Sequence, residues 1–506
     1  MVSLDKLQEL NKWWAKGSQF YIDDADFMKY QGLIVKLKRK DITPLLKPGS
    51  VLIIKGPRRA GKTVALKLAI LNLISEKRAN PDDILYFSFD EVITPKDMDN
   101  TIRNFLGRPH TGTTYLFLDE IQTVKSWATV LLGLSNSGVL KNTAVVATGS
   151  IAHFLGIETL PGRGTEGNIY YLRTASFRTF VISLLTAMAI PSNMAQVVGE
   201  RIGYRFTSDE VKSMLEAITN TSINLEEEIN QANKHVSSIE KYFIPLNKMF
   251  ELYVYTGGYP IGIASIFDGT LLSKFYEEIY NYIKNDAATI TSVVSGDPLK
   301  AGQAVSGILV HVGEKISYSK IAQNMSMNKT TLIDYSNRLE NSFVFLNIKG
   351  LKSSENGLKE SGVKKFYFED VFMHYAAGAA NTGKSGEVYS KEIINSSRVG
   401  TIVEEIVAGH LIRIKESDPM KLYSTYLRFY DGTKEVDFVY KRENNTNLGI
   451  EVKYQIEASL QDVKLVKGIE EYILLTKSAD IKKNNKCVMF PIALFLAILH
   501  SSESNL

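Results

Sequence analysis

The stretch VLIIKGPRRAGKTVALKLAILNLI, residues 51–74, constrains this chain more than any other. Val51 to Ile54 are apolar and mostly β-branched, which predicts a short strand buried on both faces. From Val64 onward Leu and Ile recur at helical spacing. Between the two, GPRRAGKT fits G-x-x-x-x-G-K-[ST] in the strand-to-helix context that this motif requires. The loop Gly56, Pro57, Arg58, Arg59, Ala60 and Gly61 is expected to curl its backbone around a phosphate, with the helix start adding partial positive charge. Lys62 is expected to reach the β- and γ-phosphates and Thr63 to ligate Mg²⁺, so ATP and Mg²⁺ are the expected cofactors. The plain alternative is a Gly-rich turn with a chance lysine; the strand and helix around it weigh against that.

ILYFSFD (84–90), TYLFLDE (114–120) and TAVVATGS (143–150) read as further apolar strands separated by helical or loop segments. Such alternation implies an α/β unit with a parallel sheet covered on both faces. TYLFLDE would deliver Asp119 to the C-terminal end of its strand, where open α/β sheets bind ligands. Asp119 is expected to hold the Mg²⁺ through water and Glu120 to act as general base on the attacking water. The alternative is that Asp-Glu merely caps a following helix. Thr148 or Ser150 would face the γ-phosphate or that water, unless ATGS is a turn and nothing more.

A length of 506 residues implies two to four domains. The expected division is a helical lead-in at 1–48, a nucleotide-binding core at 49–180, a helical lid at 181–300, a helix-turn-helix unit with connector at 301–380, and a last α/β domain at 398–506. LKSSENGLKESGVKK (351–365) reads as an exposed loop or wing, and NTGKSGEVYSKEIINSS (381–397) as a polar connector. A net charge of +4, from 59 basic and 55 acidic residues, is too mild to argue nucleic-acid binding in bulk, so a DNA surface must be a local patch. A single cysteine, Cys487, excludes an intrachain disulfide and a cysteine-rich zinc site. The charged start of the chain does not read as a signal peptide, and MFPIALFLAIL (489–499) is too short to span a bilayer. A cytoplasmic protein without a membrane partner is expected.

Two C-terminal stretches carry chemistry. ISYSKIAQNMSMNKTTLIDYSNRLENSFVFLNIKG (316–350) reads as helix, turn, helix, strand, with Lys329, Thr330, Thr331 and Arg338 left for an outer, DNA-facing side. EVDFVYK (435–441) and GIEVKYQ (449–455) read as a hairpin that brings Asp437 within reach of Glu451 and Lys453. Glu404 lies upstream on an apolar helix. Glu404, Asp437 and Glu451 are the expected ligands of a second Mg²⁺, and Lys453 would stabilise developing phosphate charge. The alternatives are a helix-turn-helix used only for packing and a surface Glu–Lys pair.

GPRRAGKT, YLFLDEIQ, ATGS and LPGRG…LRTASFRTF resemble, in order, the motifs of archaeal and bacterial AAA-type ATPases that carry a DUF4143-like C-terminal region. Those proteins show GPRRVGKT, FLDEIQ, TGS and LxGRxxxxxLxPLSFxEF. This chain departs at Thr174-Ala175, where the family has Pro-Leu, and at Thr179, where it has Glu. The resemblance implies an AAA-type, ASCE-class P-loop NTPase sheet with a helical lid, a winged helix and a C-terminal α/β nuclease-like domain. Glu404, Asp437, Glu451 and Lys453 match the pattern of the PD-(D/E)XK nuclease fold. The resemblance also places Arg163 near the γ-phosphate, in cis or across a subunit boundary, which makes a ring or other oligomer a natural expectation. The expected function is an ATP-hydrolysing DNA-processing protein, on branched or end-bearing DNA. The rival is a nucleotide-driven regulatory switch whose last domain binds a partner without cleaving nucleic acid.

Overall fold

A computed structural model describes residues 3–89, 94–149, 169–190, 193–267, 271–289, 297–354, 357–416 and 422–501. Five strands, β1 (Val51–Lys55), β2 (Ile84–Ser88), β3 (Thr114–Asp119), β4 (Thr143–Gly149) and β5 (Ile169–Tyr171), form a parallel sheet in the order β2-β3-β4-β1-β5. Alternate residues feed two different cores. Val51, Ile53, Leu116, Leu118, Val145 and Ala147 pack on one face, and Leu52, Ile54, Phe117 and Val146 on the other. The apolar runs are continuous because neither face meets water.

The lead-in closes one face. Trp13 is fully buried, and the indole N–H groups of Trp13 and Trp14 both donate to the Ile84 carbonyl, at 3.1 and 2.8 Å. Asp24 caps the helix Ala25–Gly32 and accepts from Lys67 on the helix Lys62–Ser75 at 2.7 and 2.9 Å. A buried lysine is tolerable there because two carboxylates, Asp24 and Asp26, meet it.

The second sheet has eight strands: β6 (Phe345–Ser354), β7 (Gly357–Phe368), β8 (Leu427–Tyr430), β9 (Val436–Lys441), β10 (Asn447–Lys453), β11 (Glu471–Thr476), β12 (Lys482–Lys483) and β13 (Cys487–Pro491). Their order is β12-β13-β11-β10-β9-β8-β6-β7, with mixed parallel and antiparallel pairing. The β6–β7 hairpin covers the segment expected to be a loop or wing, and 381–397 holds a helix, Gly386–Ile394, rather than a connector. The first is an exposed hairpin, which the loop-or-wing reading allows, and composition misleads only in the second. There Ser385 caps the helix, Glu387 pairs with Lys391 one turn on, and Tyr389 and Ile393 are buried.

One apolar core runs from the helices after residue 176 through the helix-turn-helix to the inner face of this sheet. The expected divisions at 300 and 380 therefore do not separate cores. β6 of the helix-turn-helix unit pairs with β8 of the last unit, and Ile223 exchanges backbone bonds with Ile498 and His500. No helix among the described residues is long and apolar enough to cross a membrane.

The sheet geometry makes Gly56 obligatory. The Leu172 amide donates to the Lys55 carbonyl at 2.7 Å, and a Cβ on Gly56 would stand 1.9 Å from the Leu172 oxygen. Overpacking costs about 1–3 kcal/mol, more when the obstacle is backbone. Gly56→Ala should lower the midpoint of chemical denaturation by an amount in or above that range; an unchanged midpoint would show that Leu172 does not dock at Gly56.

Candidate functional site

β1 ends at a loop whose backbone includes two left-handed residues, Arg59 at φ 60° and Gly61 at φ 98°, before Lys62 opens the helix. The Lys62 ammonium is buried and donates to the Gly56 and Pro57 carbonyls, both at 3.1 Å. It lies 3.7 Å from a Glu120 carboxylate oxygen. Thr63 donates its hydroxyl to Asp119 at 2.6 Å, and Tyr86 donates to the same oxygen at 3.0 Å. Thr148 donates to the other Asp119 oxygen, while the Glu120 amide donates to Thr148 at 3.1 Å. The helix start after β1 and the ends of β3 and β4 thus bring Lys62, Thr63, Asp119, Glu120 and Thr148 together.

The two adjacent carboxylates are set apart electrostatically. Burial pushes Asp119 up, against the hydroxyls of Thr148 and Thr63. Burial also works on Glu120, but Lys62, the Gln122 amide and Arg58 outweigh it and hold that carboxyl below its usual range. Glu120 sits at φ 51°, an unfavourable conformation for a residue with a side chain. Arg58 and Arg59 point away from the loop toward a later helix. Arg59 pairs with Glu278 at 2.9 Å, and Arg58 lies 5.4 Å from the Tyr282 ring centroid. Ser150 and Arg163 lie outside the described residues.

A cavity of about 710 Å³ opens beside Lys62 and Thr63. Tyr30, Leu33 and Leu37 of the lead-in, Leu68 and Ile261 give it an apolar wall. The sequence reading missed this contribution of residues 30–37. Its only signal is the weak apolar spacing after Tyr30.

In the helix-turn-helix, Tyr318–Asn324 and Lys329–Asn341 are the helices, with Leu332, Tyr335 and Leu339 buried as their spacing predicts. Asn328 caps the second helix, and Lys329 and Thr330 are exposed while Thr331 is half-buried. Arg338 is not free on the outer face. Asp334, one turn earlier, takes both its Nε and Nη2, at 3.0 and 2.6 Å.

The C-terminal carboxylates meet as expected, but a residue that the sequence reading passed over stands among them. Lys365 on β7 places its Nζ 2.8 Å from Glu404, 2.6 Å from Glu435 and 3.5 Å from Asp437. Tyr367 donates to the same Glu404 oxygen, and the Val452 amide to Asp437 at 2.9 Å. Among the described residues no group of three His, Cys, Asp or Glu side chains is arranged to hold a metal ion. Glu404 and Asp437, two of the three expected metal ligands, instead face the Lys365 ammonium in this structure. A signal existed in GVKKFYF, where Lys365 shares a strand face with Val363 and Tyr367.

Burial and the neighbouring Asp437 push Glu451 up to about 9, against the pull of Lys453. A carboxyl whose folded pKa is raised binds its proton more tightly in the folded chain, so stability falls as pH rises between the ordinary 4.5 and about 9. Glu451→Gln cannot ionise. Its thermal midpoint should fall less than that of the unmodified chain across this window, and an identical pH profile would show that Glu451 ionises freely in the fold.

Residues 48–181 match the family model described as an AAA domain. Residues 247–384 and 399–495 match two domains of unknown function, DUF8612 and DUF4143. An uncharacterised protein of Haemophilus influenzae is 22% identical over 419 residues, which is 80% of this chain and 82% of that protein. Among solved structures, ORC1 of Aeropyrum pernix in complex with DNA is 10% identical over 71% of this chain and 92% of its own, with a TM-score of 0.27. A RuvB variant of Thermotoga maritima is 13% identical over 71% and 92%, with a TM-score of 0.23. Overlaps this loose transfer nothing to this chain. Residues 48–181, which hold GPRRAGKT and the parallel sheet, are thus similar to AAA domains, and residues 399–495 to the DUF4143 domain.

Proposed function

We propose that this chain hydrolyses ATP at the cavity beside Lys62. The observation that carries the reading is the convergence of Lys62, Thr63, Asp119, Glu120 and Thr148 at the C-terminal ends of β1, β3 and β4. Lys62 leaves the Gly56 and Pro57 carbonyls to meet the β- and γ-phosphates, which the loop backbone and helix start also bind. The Thr63 hydroxyl and Asp119 carboxylate are hard oxygen donors side by side. They fit a Mg²⁺, which when bound neutralises phosphate charge. Glu120, held ionised, takes the proton of the attacking water, and Thr148 fixes the Glu120 backbone. Tyr30, Leu33, Leu37 and Leu68 cover the base. By the family resemblance, Thr148 or Ser150 serves the γ-phosphate or the attacking water, and Arg163 the γ-phosphate charge, in cis or from a second copy in a ring.

Lys62→Ala should abolish ATP binding in a fluorescent-nucleotide titration. Glu120→Gln should bind ATP with unchanged affinity and hydrolyse it about 10²–10⁴-fold more slowly. Normal turnover by Glu120→Gln would end the base assignment.

Duplex DNA is the proposed partner of the helix-turn-helix. Lys329 and Thr330 are exposed at a helix start. On the β6–β7 hairpin Lys352 stands directly opposite Lys359, both exposed, and Lys349 opposite Lys364. Like charges across a strand pair repel, and a polyanion relieves that repulsion. Lys329→Ala with Lys352→Ala and Lys359→Ala should weaken DNA binding. It should also flatten the plot of log affinity against log salt by about 0.9 for each phosphate that is no longer neutralised. A slope identical to that of the unmodified chain favours the rival, a nucleotide-driven switch with a protein partner; Arg338→Ala should change neither slope nor affinity, since Asp334 already holds it.

A further inference from the structure

Glu404, Glu435, Asp437 and Glu451 gather four carboxylates around one buried lysine, away from the nucleotide cavity. Lys365 Nζ sits inside it, with its side chain 2% exposed and three carboxylates within 3.5 Å. The backbone fixes it there, because β7 pairs Lys365 with Ile348 just before the register shift between Lys349 and Leu351. Two of the carboxylate oxygens have further partners. Tyr367 and Lys365 share one Glu404 oxygen, and the Val452 amide holds the second Asp437 oxygen. Mg²⁺ needs oxygen ligands at about 2.0–2.1 Å in octahedral geometry, and an ammonium in the same shell would repel it. Admitting the ion would require pulling a buried ammonium away from Glu404, Glu435 and Asp437, which leaves a charge without partners.

We infer that the Lys365 ammonium is a built-in cation standing in the carboxylate cluster in place of a divalent metal, and that removing its charge opens a divalent-cation site made of Glu404, Glu435 and Asp437. Lys365 holds these carboxylates together as a metal would, so β7, β9 and the helix Val399–Leu411 are joined without any bound ion. Mg²⁺-dependent cleavage at Asp437 and Glu451 is then not a property of the intact chain.

The test uses the full nucleotide-free chain and Mn²⁺ as the probe, counting bound ions from the loss of free-Mn²⁺ paramagnetic resonance. Any ion at the phosphate loop is common to all variants. The unmodified chain and Asp437→Asn should bind the same number of ions. Lys365→Met should bind one more, and Lys365→Met with Asp437→Asn should lose it. Mn²⁺ should raise the melting temperature of Lys365→Met and leave the unmodified chain no more affected than Asp437→Asn. If Lys365→Met folds only when Mn²⁺ is present, the inference is supported by that dependence. If it does not fold at all, the first pair still decides. Equal counts support a lysine-filled cluster. A Mn²⁺ bound by the unmodified chain and lost in Asp437→Asn overturns it, as does a folded Lys365→Met that binds no additional ion.

Discussion

The hydrogen bond from the Leu172 amide to the Lys55 carbonyl closes the edge of the first sheet at the point where the chain leaves β1 for the phosphate loop. Much else is arranged around it. Gly56 must lack a side chain to let Leu172 approach, and the residues that follow Leu172 pass straight into the C-terminal half. Arg173 is gripped by Glu369 and Glu416 at 2.5 and 2.6 Å. Arg413 donates to the Thr174 carbonyl at 2.6 Å, and the Phe177 amide to His410 Nε2 at 2.8 Å. That last bond requires His410 Nε2 to be an acceptor, and the Nδ1 contact with the Ile406 carbonyl at 2.7 Å completes the neutral tautomer. Burial and Arg413 push His410 down to about 3, so it stays in that form. These residues tie the phosphate loop to the DUF4143 region through buried polar contacts, which are costly to break one at a time.

The two carboxylate centres show how one residue type serves opposite ends. At the nucleotide cavity Asp119 and Glu120 face hydroxyls, a half-open cavity and a single lysine that also has two carbonyls to lean on. Glu120 lines the cavity, and Asp119 lies buried behind it. At the second centre the lysine has no such alternative. Carboxylates surround it, and they outweigh the burial that would otherwise lower its pKa, holding it firmly charged. The first lysine borders a cavity, and the second is 2% exposed among carboxylates.

What the chain's order of residues determined is the nucleotide half. GPRRAGKT, the apolar runs of β1, β3 and β4, and the carboxylates that end TYLFLDE are local patterns, because each is read from one strand, one turn or one helix start. The helix-turn-helix was legible for the same reason, since Leu332, Tyr335 and Leu339 recur at helical spacing. Asp437 and Glu451 were legible as neighbours from strand alternation and the hairpin, and Glu404 from the family resemblance alone.

Tertiary structure alone decided what surrounds those neighbours. Lys365 reaches the cluster from β7, which lies three strands from β9 in the sheet and crosses over the helix that carries Glu404. Residues 30–37 wall the cavity because Asp24 and Lys67 dock the lead-in onto the helix after the phosphate loop. Each of these is decided by how segments fold against one another. A local pattern shows which residue types are present, whereas the sign of the charge a carboxylate finally faces depends on the segment that folds against it.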